Sequence, residues 1–359
     1  MRTTLSGLGA LALCAIVAGA CGGGERRPVT AESAGGAASA GGAIRVNGAG
    51  ATFPLPIYSK WFSEYNKLHP SVEINYQSIG SGGGIRQLLA ETVFFGASDQ
   101  PMTDEMLAKA PGAVLHFPTV LGAVVPVYNL EGVSAQLKFT GPLLADIFLG
   151  KITRWNDPAI AKINPGFKGT GNITVVHRSD GSGTTFVWAD YLGKVSPEWK
   201  QKVGVNSALD WPAGVGGKGN EGVAGLVKQT PGSIGYIELV YALQNKISYG
   251  AVQNRAGEFV NPDVTSVTAA ASGAMASMPK DFRVSITDSP GQGAYPISSF
   301  TWILLFEDPK DKAQAKVMVD FLKWALGDGQ ALAGDLGYAR LPADLARQEL
   351  EQLNRIKLQ

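Results

Sequence analysis

The chain has 359 residues with 31 basic and 30 acidic side chains, so it lacks the net field that would attract nucleic acid or an anionic surface. Any anion site must therefore be built locally. Its only two cysteines, Cys14 and Cys21, give the mature protein no internal disulfide and no cysteine metal site if Cys14 is removed with a leader.

The first segment has the features of a signal peptide over residues 1–20. Met1 and Arg2 give a cationic start, and the apolar run of residues 8–17 is shorter than the about 20 residues of a membrane span. Small residues then precede Cys21, and Ala-Gly-Ala-Cys at 18–21 resembles the lipobox of bacterial lipoproteins. We expect an exported protein that is anchored by lipid on Cys21 to the periplasmic or extracellular face of a membrane. Cleavage nearby without lipid is the alternative.

The segment that follows Cys21 is rich in Gly, Ala and Ser up to residue 42. It has almost no large apolar residue and predicts a flexible tether between membrane and folded body. Residues 43–359 are about twice the length of a typical domain, which favours a body of two lobes.

The body of the chain alternates predicted strands and helices. Five short apolar runs predict strands: Ile44 to Val46, Val72 to Tyr76, Val120 to Tyr128, Ile173 to Val176 and Trp302 to Phe306. Two stripes at helical spacing are interpreted as core packing: Leu55, Tyr58, Phe62 and Tyr65, and then Val317, Phe321, Trp324 and Leu326. This order predicts an α/β fold with mostly parallel sheets, in which ligands bind at the carboxyl ends of strands.

The first candidate site segment is the turn of residues 48–54 between a predicted strand and helix. Pro54 suits the first helical turn, which places Thr52 as the N-cap residue. The Thr52 hydroxyl and the amides of Thr52 and Phe53 can then face a ligand at the positive end of the helix. An ordinary capped helix is the alternative.

A second segment, the glycine-rich turn of residues 79–84, also lies between a predicted strand and a predicted helix. Its Ser81 offers a hydroxyl at the helix start, where free amides can approach an anion closely. A flexible loop is the alternative explanation of this glycine content.

The third segment covers residues 178–185 and combines a cation with a helix start. Ser182, Gly183 and Thr184 offer hydroxyls and amides, and the planar fork of Arg178 suits two oxygens of one tetrahedral oxyanion. Asp180 can hold that guanidinium in place. A surface arginine in a polar turn is the alternative.

Together the three segments predict a small dehydrated oxyanion held mainly by neutral hydrogen bonds. Asp99, in Phe-Gly-Ala-Ser-Asp at 95–99, adds a carboxylate to this set. Phosphate carries one or two protons at neutral pH and each needs an acceptor, whereas sulfate has none. An ionised Asp99 would therefore accept from phosphate and repel sulfate. Taken alone, Asp99 is more typical of a turn or a helix cap.

These segments together resemble the phosphate-binding proteins of bacterial phosphate importers over essentially the whole mature chain. The shared motifs are GAGATFP (48–54) with Tyr58, YQ (76–77), IGS (79–81), FGASD (95–99), FPTV (117–120), Arg178 with DGSGT (180–184), WP (211–212), GGKGN (216–220) and GY (235–236).

The resemblance implies a two-lobed venus-flytrap fold of the periplasmic-binding-protein type, type II-like, with two hinge crossovers that close around one phosphate. Lobe I would comprise residues 43–123 and 298–359, lobe II residues 124–297, and the hinge strands would lie near 121–128 and 295–303. The residues implied to bind phosphate are Thr52, Phe53, Ser81, Asp99, Arg178, Ser182, Gly183 and Thr184, with Asp180 as the brace of Arg178.

The family also implies the partners of such a receptor. They are inorganic phosphate, the membrane permease subunits of an ABC phosphate importer and the membrane to which Cys21 is attached. A monomer without a cofactor, a metal or a nucleic-acid partner is expected. Residues 216–220 would form a structural loop near the cleft, although the residues alone indicate only a glycine-rich turn.

Three other functions compete with this interpretation. A phosphatase or serine hydrolase would need a base, but His69, His116 and His177 accompany no nucleophile motif, and residues 96–100 fail the Gly-x-Ser-x-Gly pattern at Gln100. Asp99 argues against a receptor for sulfate or molybdate, because its carboxylate disfavours the binding of unprotonated anions. An adhesion or scaffold role of the surface is a third possibility, which the sequence leaves open.

Overall fold

The computed structural model describes residues 43–133 and 135–359; the predicted signal peptide, Cys21 and the tether up to residue 42 lie outside the described residues. The strands are β1 (Ile44–Gly50), β2 (Val72–Ser78), β3 (Phe95–Ser98), β4 (Val114–Tyr128), β5 (Lys138–Phe139), β6 (Thr174–Arg178), β7 (Val215–Gly217), β8 (Ser233–Glu238), β9 (Ser248–Tyr249), β10 (Ala251–Gln253), β11 (Phe259–Val260) and β12 (Ser298–Phe306). The α-helices are α1 (Leu55–Leu68), α2 (Ser81–Leu89), α3 (Asp104–Ala108), α4 (Gly141–Phe148), α5 (Pro158–Ile163), α6 (Gly183–Val195), α7 (Pro197–Lys202), α8 (Gly219–Gln229), α9 (Leu239–Asn245), α10 (Val264–Ala274), α11 (Lys312–Leu326) and α12 (Ala343–Leu353).

One nine-stranded sheet runs through the molecule in the order β2-β1-β3-β12-β4-β8-β6-β7, with β9 also paired to β4. In its first half β1 pairs in parallel with β2 and β3, and in its second half β6 pairs in parallel with β7 and β8. The two central strands, β4 and β12, run antiparallel to their neighbours. The prediction of mostly parallel strands was therefore right for the outer strands of each half. It was wrong for the two central strands, because β4 carries the chain from the first half into the second and β12 runs antiparallel to it on the return.

The long strand β4 joins the two halves. Its residues from Val114 to Ala123 pair with β12, and from Val124 onward they pair with β8. Gly42–Gln359 form one compact unit, so the two halves lie against each other. Two halves joined by two long central strands agree with the predicted two-lobed α/β fold. The exact lobe boundaries stay a prediction.

The aromatic stripe of α1 packs against the stripe of α11, as the interpretation of both as core predicted. Phe62 and Tyr65 each lie 5.3 Å from Phe321, measured between ring centroids, and Tyr65 lies 5.5 Å from Trp324. Helix α11 thereby covers β1 in the first half of the sheet. This packing fixes the position of the turn that follows β1.

Helix α2 approaches the sheet so closely that Gly84 accepts no larger residue. A Cβ at Gly84 would lie 2.5 Å from both the carbonyl of Ala49 and the Cα of Gly50. We expect Gly84→Ala to lower the free energy of unfolding by about 1–3 kcal/mol, the cost of overpacking, and to weaken ligand binding by displacing Ser81. The matched control is Gly225→Ala in α8, where a Cβ meets nothing within 4 Å.

Thermal and urea unfolding of the two variants measures this difference. The control should be neutral or more stable by about 0.5–1 kcal/mol, because alanine in a helix loses less backbone entropy than glycine. Equal stability of the two variants would contradict the close packing of α2.

Candidate functional site

The turn after β1 presents two free amides. The carbonyls of Thr52 and Phe53 accept hydrogen bonds of 2.6 Å from the hydroxyls of Tyr241 and Tyr338. Both residues are buried. Within residues 43–133 and 135–359, neither amide has an acceptor of its own. Two buried amides without partners at one turn are suited to an anion.

The prediction that Thr52 caps α1 was wrong. The N-cap residue is Pro54, and Leu55 donates its amide to the Thr52 carbonyl at 3.2 Å. The pair Pro54 and Pro56 sets this start, because proline tolerates only the cap and first turn of a helix. The hydroxyl of Thr52 is therefore not used on its own helix.

Ser81 opens α2, directly after Gly80, whose φ of 84° suits glycine. Its side chain is fully buried, and its Oγ accepts from the amides of Asp99 at 3.2 Å and Gly183 at 3.0 Å. The end of β3 and the start of α6 therefore meet at one hydroxyl. Oγ still carries a hydrogen with which to donate.

Arg178 ends β6 and is held by Asp180 in a two-pronged pair. Arg178 Nε donates to Asp180 Oδ1 at 2.8 Å, and Nη2 donates to Oδ2 at 2.6 Å. Burial raises the pKa of Asp180, but the hydrogen bonds and charge of Arg178 outweigh it and hold that pKa below its usual value. The other terminal nitrogen, Arg178 Nη1, is buried and has no hydrogen-bond partner in the part of the chain that the structure describes.

Helix α6 begins at the predicted third segment. Ser182 caps it, because its Oγ accepts from the Thr185 amide at 3.0 Å. The capped end leaves the hydroxyl hydrogen of Ser182 and the amide of Thr184 for a ligand. Thirteen residues of helix then add the positive end of their dipole.

Asp99 lies fully enclosed opposite this helix start. Its Oδ1 accepts from the hydroxyl of Thr301 at 2.9 Å, and its Oδ2 faces Thr184 Oγ1 at 3.4 Å. Burial raises the pKa of Asp99 to about 7, although hydrogen bonds from Thr301 and Thr184 and the charge of Arg178 lower it. Burial thus favours the protonated carboxyl more than the sequence predicts, since the sequence indicates an ionised Asp99.

The sequence analysis missed two residues of this site. Thr301 on β12 orients Asp99, and Asn220 at the start of α8 donates to Thr52 Oγ1 at 2.8 Å and to Thr184 Oγ1 at 3.2 Å. The only signal was the glycine-rich run of residues 216–220, which the family resemblance placed near the cleft. Nothing around Thr301 distinguishes it from an ordinary strand residue.

The structure brings the predicted binding residues together in one closed cleft. Across the cleft, the Gly82 amide also donates to the Gly181 carbonyl at 2.9 Å. The assembled groups are hydroxyls, amides and one arginine, with two carboxylates, of which Asp180 is paired with Arg178 and Asp99 is bonded only to hydroxyls. That composition fits a small oxyanion that carries a proton. The binding role of each residue stays a prediction.

The histidines have other partners. His116 is buried, accepts from the Met102 amide at 3.1 Å, and has a pKa lowered to about 4 by burial and by Arg283. His177 stacks on Trp211 with 4.7 Å between the rings. Among the described residues, no group of three or more His, Cys, Asp or Glu could hold a metal ion. No helix in that part of the chain is long and apolar enough to cross a membrane.

Known proteins resemble this chain closely in sequence. A family model described as a PBP superfamily domain matches residues 33–328. A protein of Xylella fastidiosa named "Phosphate-binding protein PstS" is 53% identical over 85% of this chain and 84% of that protein. A protein of the same name from Pasteurella multocida is 48% identical over 84% of this chain and 87% of its own length.

Solved structures share the fold at lower identity. A high-affinity periplasmic phosphate-binding protein, PfluDING, solved with phosphate at pH 8.5, matches with a TM-score of 0.70 at 22% identity, over 85% of this chain and 93% of that one. A phosphate-binding protein from Stenotrophomonas maltophilia gives a TM-score of 0.68 at 20% identity, over 86% and 94% of the two chains.

Proposed function

The chain belongs to the phosphate-binding proteins of the PBP superfamily, and from this premise we propose how it works: it is a receptor for inorganic phosphate, which it delivers to an ABC importer. The receptor encloses one phosphate between its lobes. It binds the anion without converting it, so we propose that it is not an enzyme.

The observation that carries this proposal is the buried nitrogen of Arg178. A buried charged donor without a partner costs free energy, so its presence calls for an anion. Asp180 accepts from Nε and Nη2 of the guanidinium, so Nη1 is the nitrogen that can donate to a ligand in the cleft. The start of α6 and the free amides of Thr52 and Phe53 surround the same cleft. Three sides thus offer donors to one small anion.

Asp99 selects phosphate among such anions. Thr301 donates to Oδ1 at 2.9 Å and Thr184 to Oδ2 at 3.4 Å, and each oxygen keeps a further lone pair that can accept a hydrogen bond from a protonated ligand. Phosphate brings that proton and sulfate does not, so an ionised Asp99 leaves sulfate facing a negative charge. A receptor for sulfate or molybdate is the second candidate and predicts the opposite preference.

Several finer features belong to the same proposal. Lobe I is assigned to residues 43–123 and 298–359, and lobe II to residues 124–297. The protein is an extracytoplasmic monomer that is anchored by lipid on Cys21 and docks on the permease subunits of its importer. Opening and closing about the two long central strands would admit and release the anion.

Calorimetric titration of the purified protein, stripped of bound anion, tests the proposal. The ligands are phosphate, sulfate, molybdate and a phosphate ester. We expect tight one-to-one binding of phosphate and no heat from sulfate. Binding of sulfate or molybdate instead would favour the second candidate. A steady heat from the ester, with release of phosphate, would show an enzyme.

A further inference from the structure

We propose that Asn220 is a positioning residue of the phosphate site, which aims the hydroxyl hydrogen of Thr52 at the anion and holds the cleft closed. This proposal rests on the proposed function as a phosphate receptor. It adds to the binding residues a fully buried amide that contacts both walls of the cleft.

The loop before Asn220 is tied to the arginine site. Gly219 has a φ of 73° and donates its amide to Asp180 Oδ1 at 3.0 Å. The carboxylate that braces Arg178 therefore also fixes the start of α8. This hydrogen bond from Gly219 to Asp180 places the Asn220 side chain between the turn after β1 and the start of α6.

The orientation of the Asn220 amide group is set by its oxygen. Asn220 Oδ1 accepts from the backbone amide of Glu238 at 3.1 Å. The two hydrogens of Nδ2 must therefore point the other way, toward Thr52 Oγ1 at 2.8 Å and Thr184 Oγ1 at 3.2 Å. All hydrogen-bonding groups of the side chain face a partner.

This arrangement decides what the Thr52 hydroxyl can do. Its oxygen accepts from Asn220 Nδ2 and from the Asn220 backbone amide at 3.2 Å, which fills both of its acceptor positions. Only its hydrogen is left, so Thr52 can donate to the anion and cannot accept from it. A donor fixed in advance loses little entropy when the ligand arrives.

The same hydrogen bonds hold the cleft closed. Thr52 follows β1 in the first half of the sheet, whereas Asn220 begins α8, which packs on β6 and β8 in the second half. The contact between them can exist only while the two halves lie together. Loss of this contact should therefore raise the dissociation rate of phosphate and leave its association rate nearly unchanged.

The test is a double-mutant cycle of Asn220→Ala and Thr52→Val, with phosphate affinity measured by calorimetry and rates by stopped flow. Asn220→Ala should weaken binding about 30-fold, the scale of two lost hydrogen bonds, and mainly through faster dissociation. In the Thr52→Val background the same change should cost only about 3-fold, because its main target is gone.

Two further variants separate positioning from folding. Asn220→Asp keeps an acceptor for the Glu238 amide but removes the donated hydrogens, so it should weaken phosphate at least as much as alanine does. Asn129→Ala is the matched control, because Asn129 Nδ2 binds the carbonyls of Val227 and Lys228 at the other end of α8. It should leave the affinity unchanged. Thermal melts confirm that each variant is folded.

Full additivity of the two losses would overturn the proposal, because Asn220 would then act independently of Thr52. An unchanged affinity in both Asn220 variants, or an equal loss in Asn129→Ala, would also overturn it. In each of these cases the unaltered protein still binds phosphate, and the proposed function stands. If the unaltered protein failed to bind phosphate, both the proposed function and the role of Asn220 would be refuted.

Discussion

Replacing Arg178 by alanine is expected to weaken phosphate binding about 1000-fold, because the two hydrogens of Nη1 would make charge-assisted hydrogen bonds worth about 1.5–3 kcal/mol each. The change also leaves the carboxylate of Asp180, which is 12% exposed, without its cation, so its charge adds to the repulsion of the anion. Calorimetry of the anion-free variant measures the loss.

Arg178→Lys distinguishes charge from geometry. Lysine keeps a positive charge but cannot bind Asp180 with two prongs and the ligand with a third nitrogen. We expect an affinity between those of the unaltered protein and the alanine variant.

The matched control is Arg255→Ala, because Arg255 also forms a pair with a carboxylate, that of Asp288 at 2.7 Å, but is more than half exposed. An exposed pair contributes little to stability, and the affinity should not change. Tight phosphate binding by Arg178→Ala would contradict the role given to Nη1.

The local parts of the site could be predicted from the sequence. Ser81, Arg178 and Ser182 each lie where a strand turns into a helix, and such turns have a recognisable pattern of glycine and hydroxyl residues. Asp180 lies two residues from Arg178, so its pairing follows from proximity in the chain. These features depend on a few neighbouring residues, which is the range over which sequence patterns are informative.

The parts that depend on the meeting of the two halves could not be predicted in this way. Asn220 reaches Thr52 across 168 positions of the chain, and Thr301 reaches Asp99 across 202. The Thr52 cap was predicted from local pattern and was wrong, since the hydroxyl serves a contact with Asn220 instead. The raised pKa of Asp99 also arises from burial by distant elements, so a local pattern predicts only an ordinary carboxylate.

Replacing Asp99 by asparagine is expected to weaken phosphate binding and to strengthen sulfate binding, so that the site no longer selects phosphate. Asparagine can still accept from Thr301 but offers the ligand a donor where Asp99 offers an acceptor. Phosphate then loses the partner of its proton, and sulfate gains a hydrogen bond and escapes a negative charge. The ratio of phosphate to sulfate affinity at pH 8 should fall at least about 100-fold, the scale of one hydrogen bond lost and one gained.

The pH dependence of sulfate binding gives the same prediction a second readout. Burial raises the pKa of Asp99 to about 7, so the fraction of protonated carboxyl grows as the pH falls through 7. A protonated Asp99 can donate to sulfate, and the unaltered protein should therefore bind sulfate better at pH 5 than at pH 8. Asp99→Asn has no such proton, and its sulfate affinity should not follow this titration.

Glu349→Gln is the control for the general effect of a buried carboxyl. Glu349 is fully buried on α12, and burial raises its pKa as well. Because it lies outside the assembled site, its replacement can alter how stability depends on pH but should not alter selectivity. Calorimetry with both anions at pH 5, 6, 7 and 8 compares the three proteins. If Asp99 has this role, Asp99→Asn must cease to reject sulfate, and sulfate binding by the unaltered protein must change with pH. If either expectation fails, a group other than Asp99 accepts the hydrogen bond from the proton on phosphate.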